Sequence, residues 1–395
     1  MTRTTPKALR VRRVSGPARC ASGQEAAYKA VGFSKARPTK AELAAINWLI
    51  ESDGVAVARY PAHGPELRYA PSAELAGKRL RVMPYRVSPS RDICAVTEID
   101  GLAPPALSGA SAMLFTIERE GSKVYARADG GARFYVGSIV RYGQGRGLMN
   151  TADGTGPVFD PADYRGRFGF WADFIAPTAR CESGGYFHRI NTYDRARFTF
   201  GLLQHAAHTA NANFVLLLRR LLVLPTAAAY FPDLKLDGGR ICRDTGAGTV
   251  PLEVGDPPLP FMDYLNPSLD AVEDAEALNA AKFIHWCIHD PAHRDAQVAF
   301  AIEDTKRKME DYARRYGLAG ANADICLAVC DIRHQGRARS ADILDALGSA
   351  DSLGRLLHLG ADSYAERIET LRGALDQAGF DAWKYDTPSG EFERV

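Results

Sequence analysis

Long apolar runs are missing from this 395-residue chain. The nearest approach, Phe214 to Leu224, is interrupted by Arg219 and Arg220, so it predicts a core helix and not a membrane span. No apolar segment near the start has the length of a signal-peptide core, so we expect synthesis in the cytoplasm without a classical export signal. CxxC pairs and zinc-finger spacings are missing too. The seven cysteines are scattered and odd in number, which argues against a disulfide framework in a chain of this size. Cys326 and Cys330 share a helix face and read as buried thiols. An excess of one charge is also lacking. Lys and Arg number 49 against 47 Asp and Glu, so the net charge of +2 selects no partner. No basic stripe interleaved with aromatics appears, which speaks against nucleic acid. The runs Lys306-Arg307-Lys308 and Arg314-Arg315 read as a solvated helix face.

What is present is ordinary globular material, 46% hydrophobic and 24% charged, long enough for two or more domains. Residues 1–35 are basic, with Arg3, Lys7, Arg10, Arg12, Arg13 and Arg19, and predict a flexible arm. Thr39 and Glu42 have capping-box spacing, and Leu43, Ile46, Leu49 and Ile50 follow at helical intervals, predicting a helix to about Asp53-Gly54. From Val55 to Gly143, short runs rich in Val, Ile, Tyr and Phe alternate with turn residues. Leu80–Val82, Ile93–Val96, Met113–Ile117 and Lys123–Arg127 read as strands, and Asp129-Gly130-Gly131 as a hairpin turn. We therefore expect a β-rich accessory domain over 36–150. Gly143-Gln144-Gly145-Arg146-Gly147 has the glycines of a phosphate loop without its strand-to-helix setting, and reads as a turn.

Residues 151–163 are rich in Gly, Pro and Asp and predict a linker. Residues 164–395 then predict a mostly helical domain. Helices are expected over 271–288, 295–316, 323–332, 340–347 and 363–378, with Gly201 to Leu224 as a long buried helix and 225–267 as an irregular insertion. The fold class is α+β.

One stretch carries chemistry. Arg180-Cys181-Glu182-Ser183-Gly184-Gly185 ends an apolar segment in a carboxylate and a Gly pair. Tyr193-Asp194-Arg195 supplies a second carboxylate, and Thr199-Phe200-Gly201-Leu202-Leu203-Gln204 leads on. Glycoside hydrolysis needs two placed carboxyls, or one with a held water. Glu182-Ser183-Gly184-Gly185, Asp194, then Phe200-Gly201-Leu202-Leu203-Gln204 resembles the active-site pattern of goose-type lysozymes and bacterial lytic transglycosylases, Glu-Ser-x-x-Gly, an Asp about a dozen residues later, then Phe-Gly-Leu-Met-Gln. The order Glu, Asp, Thr-x-Gly is similar to chitosanases of the same broad superfamily. The close resemblance covers about 30 residues. Pro177, in the segment leading to Glu182, departs from it and predicts a kink or fresh helix start.

The resemblance implies that Glu182 is the general acid and that Asp194 orients a water, an inverting scheme. Apolar neighbours such as Phe174 and Phe200 would raise the Glu182 pKa as that role requires. It further implies cleft positions for Gly201 and Gln204, with Tyr193 and Thr199 as sugar contacts. Without a held water, attack by a muramyl hydroxyl would make the reaction that of a lytic transglycosylase. The implied substrate is peptidoglycan or a related β-1,4-linked amino-sugar polymer, with chitosan as the alternative, and no cofactor. A phage lysin, or an effector delivered by a secretion machine with its own immunity protein, fits a chain acting in the periplasm or on the cell wall without an export signal. A non-catalytic glycan-binding component of such a particle is the reading from another class.

Asp331-Ile332-Arg333-His334-Gln335-Gly336 ends a helix with polar groups and a Gly cap, and reads either as a salt-bridged helix terminus or as the far wall of the cleft with Asp331 or Arg333 contacting substrate. His285, His289 and His293 recur every four residues, but Pro291 and the missing HExxH pattern favour a helix end over a metal site. His205 and His208 read as surface histidines.

Overall fold

Strands make up 27% and helices 37% of the structure, with strands concentrated early and helices late, an α+β architecture. The computed structural model describes residues 9–21, 25–52, 54–72, 75, 77–100, 112–151 and 153–395. The chain divides into two units, 1–109 and 110–395. Among the described residues no helix is long and apolar enough to cross a membrane.

The first unit holds two sheets. Val11–Ser15, Ala26–Phe33 and Glu66–Tyr69 form a three-stranded sheet, and Arg19–Ala21, Ala95–Asp100, Arg79–Tyr85, Asn47–Ser52 and Val55–Tyr60 lie in that order in a five-stranded one. The expected basic arm is thus largely strand where it is described, while residues 1–8, with Arg3 and Lys7, lie outside the described residues. Ala26, Tyr28 and Ala30 are buried and alternate with exposed Ala27, Lys29 and Val31, a two-residue period hidden by small and charged residues. The capping box is present, with the Thr39 hydroxyl accepting from the Glu42 N–H. Its helix nevertheless stops at Ala44. Trp48, Leu49 and Ile50 follow as a strand paired on both sides, where three consecutive buried apolar residues suit a covered strand better than one helix face.

In the second unit, Phe115–Glu120, Lys123–Ala128, Phe134–Tyr142 and Gly145–Met149 form antiparallel hairpins. The sheet continues into the short strands Ile190–Asn191, Thr199–Phe200 and His205–Ala206. The expected boundary at 150 is therefore displaced to 109/110, because these hairpins share a sheet with the carboxylate-bearing stretch. Val124, Ala126, Val136 and Leu148 join the same core as Phe198 and Phe200. Within the expected linker, Asp160 caps a helix over Pro161–Phe168.

The helix Trp171–Ser183 runs on through Pro177. Its start is anchored by aromatic packing: Phe170 stacks on Trp383 at 4.3 Å, and Phe174 lies 4.8 Å from Phe392. The long helix expected over 201–224 is replaced by a strand and turns, followed by the helix Asn213–Leu221, which contains the interrupting arginines. The insertion carries a three-stranded sheet, Leu234–Asp237, Arg240–Asp244 and Thr249–Pro251. Helices Asp274–His289, Pro291–Tyr316, Ala323–Gln335, Ser340–Leu347 and Ala361–Ala378 follow the expected pattern within a few residues. Cys326 and Cys330 are free and buried.

Candidate functional site

The helix Trp171–Ser183 delivers Glu182 in its last turn. The N–H groups of Gly184 and Gly185 return to the carbonyls of Arg180 and Ala179, closing the helix directly after the glutamate. The chain then turns into the strand Ile190–Asn191, and the loop to Thr199–Phe200 carries Asp194. The Asp194 carboxylate accepts from the Ala196 N–H at 2.9 Å, and the Asp194 carbonyl accepts from the Arg197 N–H at 2.9 Å, so the loop is braced from within.

That loop is also braced from below. The Asn266 side-chain amide donates to the carbonyls of Thr192 and Arg197 at 3.0 and 3.1 Å. The Thr192 hydroxyl donates to the carboxyl of Glu276, a fully buried residue that also accepts from the Leu148 N–H at 3.2 Å. Burial pushes Glu276 up to about 7, against the lowering effect of these hydrogen bonds. The glycine-rich run is a turn, as the sequence predicted, and also supports the Asp194 loop. The turn at Gly143-Gln144 joins two strands, and Gly147 lies flat against the Asp194 loop, where a Cβ would sit 2.5 Å from the Thr192 carbonyl carbon and the Tyr193 nitrogen.

A cleft of about 480 Å³ opens between the helix end and this loop. Glu182, Tyr193, Asp194, Thr199 and Gln204 all line it. Gln204 is held by its amide, which donates to the carbonyls of Arg189 and Gly201 at 3.1 and 2.9 Å, while Asn191 donates to its side-chain oxygen at 3.2 Å. The far wall is formed by His334 and Gln335 from the end of the helix Ala323–Gln335, and His208 also lines the cleft.

Three expected positions differ. Gly201 does not line the cleft; it backs onto Gln297, whose side-chain oxygen would lie 2.4 Å from an added Cβ. Asp331 is fully buried and salt-bridged to Arg337 and Arg367, so it serves an ion-pair network and not the cleft surface. Arg333 faces Tyr312 on the helix Pro291–Tyr316. Asp331 and Arg333 belong to the correct helix end, but its cleft-facing side chains are one to four residues further on. His205 is buried against Phe300, not exposed as expected, and burial pushes it down to about 3.

The setting of Glu182 also departs from expectation. Its side chain is 14% exposed, and one oxygen takes both charged contacts: Arg367 Nη1 lies 2.7 Å and His334 Nε2 3.2 Å from Oε1. Burial raises the carboxyl pKa, but the His334 hydrogen bond and charge, with the Arg367 guanidinium, outweigh it and bring Glu182 down to about 2. The apolar neighbours expected to raise it do not decide the result, because the Arg367 guanidinium and the His334 ring reach the carboxylate directly. Among the described residues no hydrogen-bond partner meets Oε2.

Arg367 and His334 are functional candidates that sequence reading did not single out. His334 carried a signal, being in the polar helix end already assigned to the far wall. Arg367 carried none, since 185 residues separate it from Glu182 and arginines are frequent here. Among other histidines, His285 pairs with the Tyr230 hydroxyl at 3.0 Å and stacks on His289. No family model matches this chain, and no match was found among curated proteins or solved structures.

Proposed function

We propose that this protein is a glycoside hydrolase that cleaves β-1,4 linkages of peptidoglycan, with Glu182 and Asp194 as its two carboxyl groups. The observation that carries the reading is the convergence of Glu182, Asp194, Tyr193, Thr199 and Gln204 on one cleft, from a helix end, a loop and strand ends. Within this reading, Glu182 protonates the glycosidic oxygen while Asp194 takes a proton from the water that attacks the anomeric carbon. The Thr199 hydroxyl, on the same wall as Asp194, holds that water. Tyr193 offers a ring for a sugar face, and Gln204 and Asn191 offer hydrogen-bonding groups for its hydroxyls and acetamide.

Glu182 is a carboxylate in the open cleft and must gain a proton before it acts. Substrate that fills the cleft strips water from the glutamate, and desolvation favours the protonated form. Chitosan is the second substrate reading, supported by Thr199 sharing the cleft wall with Asp194, as the resemblance to chitosanases implies.

The test is product release from purified peptidoglycan, analysed by mass spectrometry, with Glu182→Gln and Asp194→Asn in parallel. We expect reducing-end muramic acid products that vanish in both variants. Anhydro-muramic ends would assign a lytic transglycosylase. Release from chitosan alone would assign the alternative. Parent and Glu182→Gln proteins equally inactive on both polymers would remove the hydrolase reading and leave glycan binding.

A further inference from the structure

His334 and Glu182 meet at the cleft wall. We propose that His334 holds the proton that Glu182 delivers to the departing sugar oxygen, so that the two side chains share one acid proton. This rests on the hydrolase reading above. His334 acts through Glu182 and is a positioning residue.

The geometry supports this in three ways. His334 Nε2 lies 3.2 Å from Glu182 Oε1, within reach for proton exchange directly or through one water. Both side chains line the cleft, so solvent can recharge the pair between turnovers. His334 also sits in the last turn of its helix, where unpaired carbonyls favour a cation.

Glu182, whose Oε1 the Arg367 guanidinium also holds at 2.7 Å, is the carboxylate in direct contact with His334. On the same helix, Asp331 is neutralised by Arg337 and Arg367. On the helix Pro291–Tyr316, Asp304 is paired with Arg307 and Lys308. His205 and Tyr312 lie behind His334 in a smaller pocket that Asp304 and Lys308 also line, and Cys181 precedes Glu182 on its helix with its thiol pushed up to about 12 by burial. Across the cleft stand Asp194, Arg195 and His208.

In the resting pair the proton is on His334 and Glu182 is anionic. When substrate displaces water, the proton passes to the Glu182 carboxyl and His334 becomes neutral. Glu182 then gives it to the glycosidic oxygen as the bond to the anomeric carbon breaks and its electron pair moves to the leaving oxygen. Water forms the new bond to that carbon and yields its proton to Asp194. Glu182 is left as a carboxylate, Asp194 releases its proton to solvent, and solvent returns one to His334. Imidazole is the side chain suited by its chemistry to hold a proton that an ion-paired glutamate does not, and to pass it on.

The experiment is the pH dependence of kcat for the parent and His334→Gln on peptidoglycan fragments, with a ¹H–¹⁵N titration of the His334 ring in the parent and in Glu182→Gln. We expect the alkaline limb of the profile to move to lower pH by about one unit or more in His334→Gln. We also expect the His334 ring to titrate at a lower pH by about one unit or more once Glu182 is replaced. The ring titration requires no turnover, so it separates the two ideas. An unchanged ring titration, or a uniform fall in kcat with an unmoved alkaline limb, overturns the shared proton. A coupled ring in a parent that cleaves neither peptidoglycan nor chitosan overturns the hydrolase reading, and the delivery step with it.

Discussion

Arg367 holds Glu182 and Asp331 at once, with Nη1 2.7 Å from Glu182 Oε1 and Nη2 2.6 Å from Asp331 Oδ1. Asp331 is fully buried and bonds Arg337 through its other oxygen. A chain of alternating charges therefore runs from the helix Ala361–Ala378 and the interior to the cleft wall, and it ends on the glutamate. Removing the middle carboxylate strands two guanidiniums. Asp331→Ala should destabilise the protein by about 3–5 kcal/mol. Urea unfolding checks this, and a loss below about 1 kcal/mol would show that the network relaxes freely.

Glu182 contributes to stability with a definite pH dependence. Its carboxyl is lowered from 4.5 to about 2, so the native state favours the ionised form. The contribution is present above pH 4.5 and is lost as pH falls from about 4.5 through about 2. Glu182→Gln lacks it. The melting-temperature difference between parent and variant should shrink as pH falls from 6 to 2, and a constant difference would contradict the ion-paired setting.

Glu276 has the opposite sign. Its carboxyl is raised to about 7, chiefly by burial beneath the Asp194 loop. The stability from its protonated form is present below pH 4.5 and is lost as pH rises through about 7. Glu276→Gln keeps an acceptor for Thr192 and Leu148 without the ionisation. Relative to the parent, the variant should gain stability between pH 5 and pH 8 in thermal melts. Parallel pH curves would rule out ionisation of this residue as the cause.

Gly147 tests the loop support without touching a charged group. A Cβ would meet backbone of Thr192 and Tyr193 at 2.5 Å, and backbone cannot swing aside as a long side chain can. Gly147→Ala should cost about 1–3 kcal/mol in denaturant unfolding and displace the Asp194 loop. Gly143→Ala, on a turn with nothing within 4 Å, is the control for general glycine effects. Its φ of 58° adds only the local strain of a left-handed residue.

Local patterns in the chain carried much of the architecture. Apolar spacing located five of the helices from 271 to 378, though not the short helix Ser352–His358, because a helix buries one face every three or four residues wherever it packs. Glu182, Tyr193, Asp194, Thr199 and Gln204, singled out by the resemblance to lysozyme-like sites, line one cleft, whereas Gly201 from the same set, and Asp331 and Arg333 from the helix end, do not. Apolar spacing failed where local signals conflict. Residues 46–50 satisfy a helical period and a covered strand equally well, and pairing on both sides decides for the strand. The apolar Gly201 to Leu224 run gave no sign that Gly201 and Gln204, both at positive φ, fold it into a turn first.

By itself, the sequence determined the fold class and the separation of an early β-rich part from late helices. These depend on periodicity, capping and short spacings, which act over a few residues. The charge environment of the cleft was decided only by tertiary structure. Whether Glu182 sits among rings or cations depends on Arg367 and His334, which are distant in the chain and brought near by the packing of separate helices. Electrostatic energy follows distance in space and burial, and spacing along the chain encodes neither.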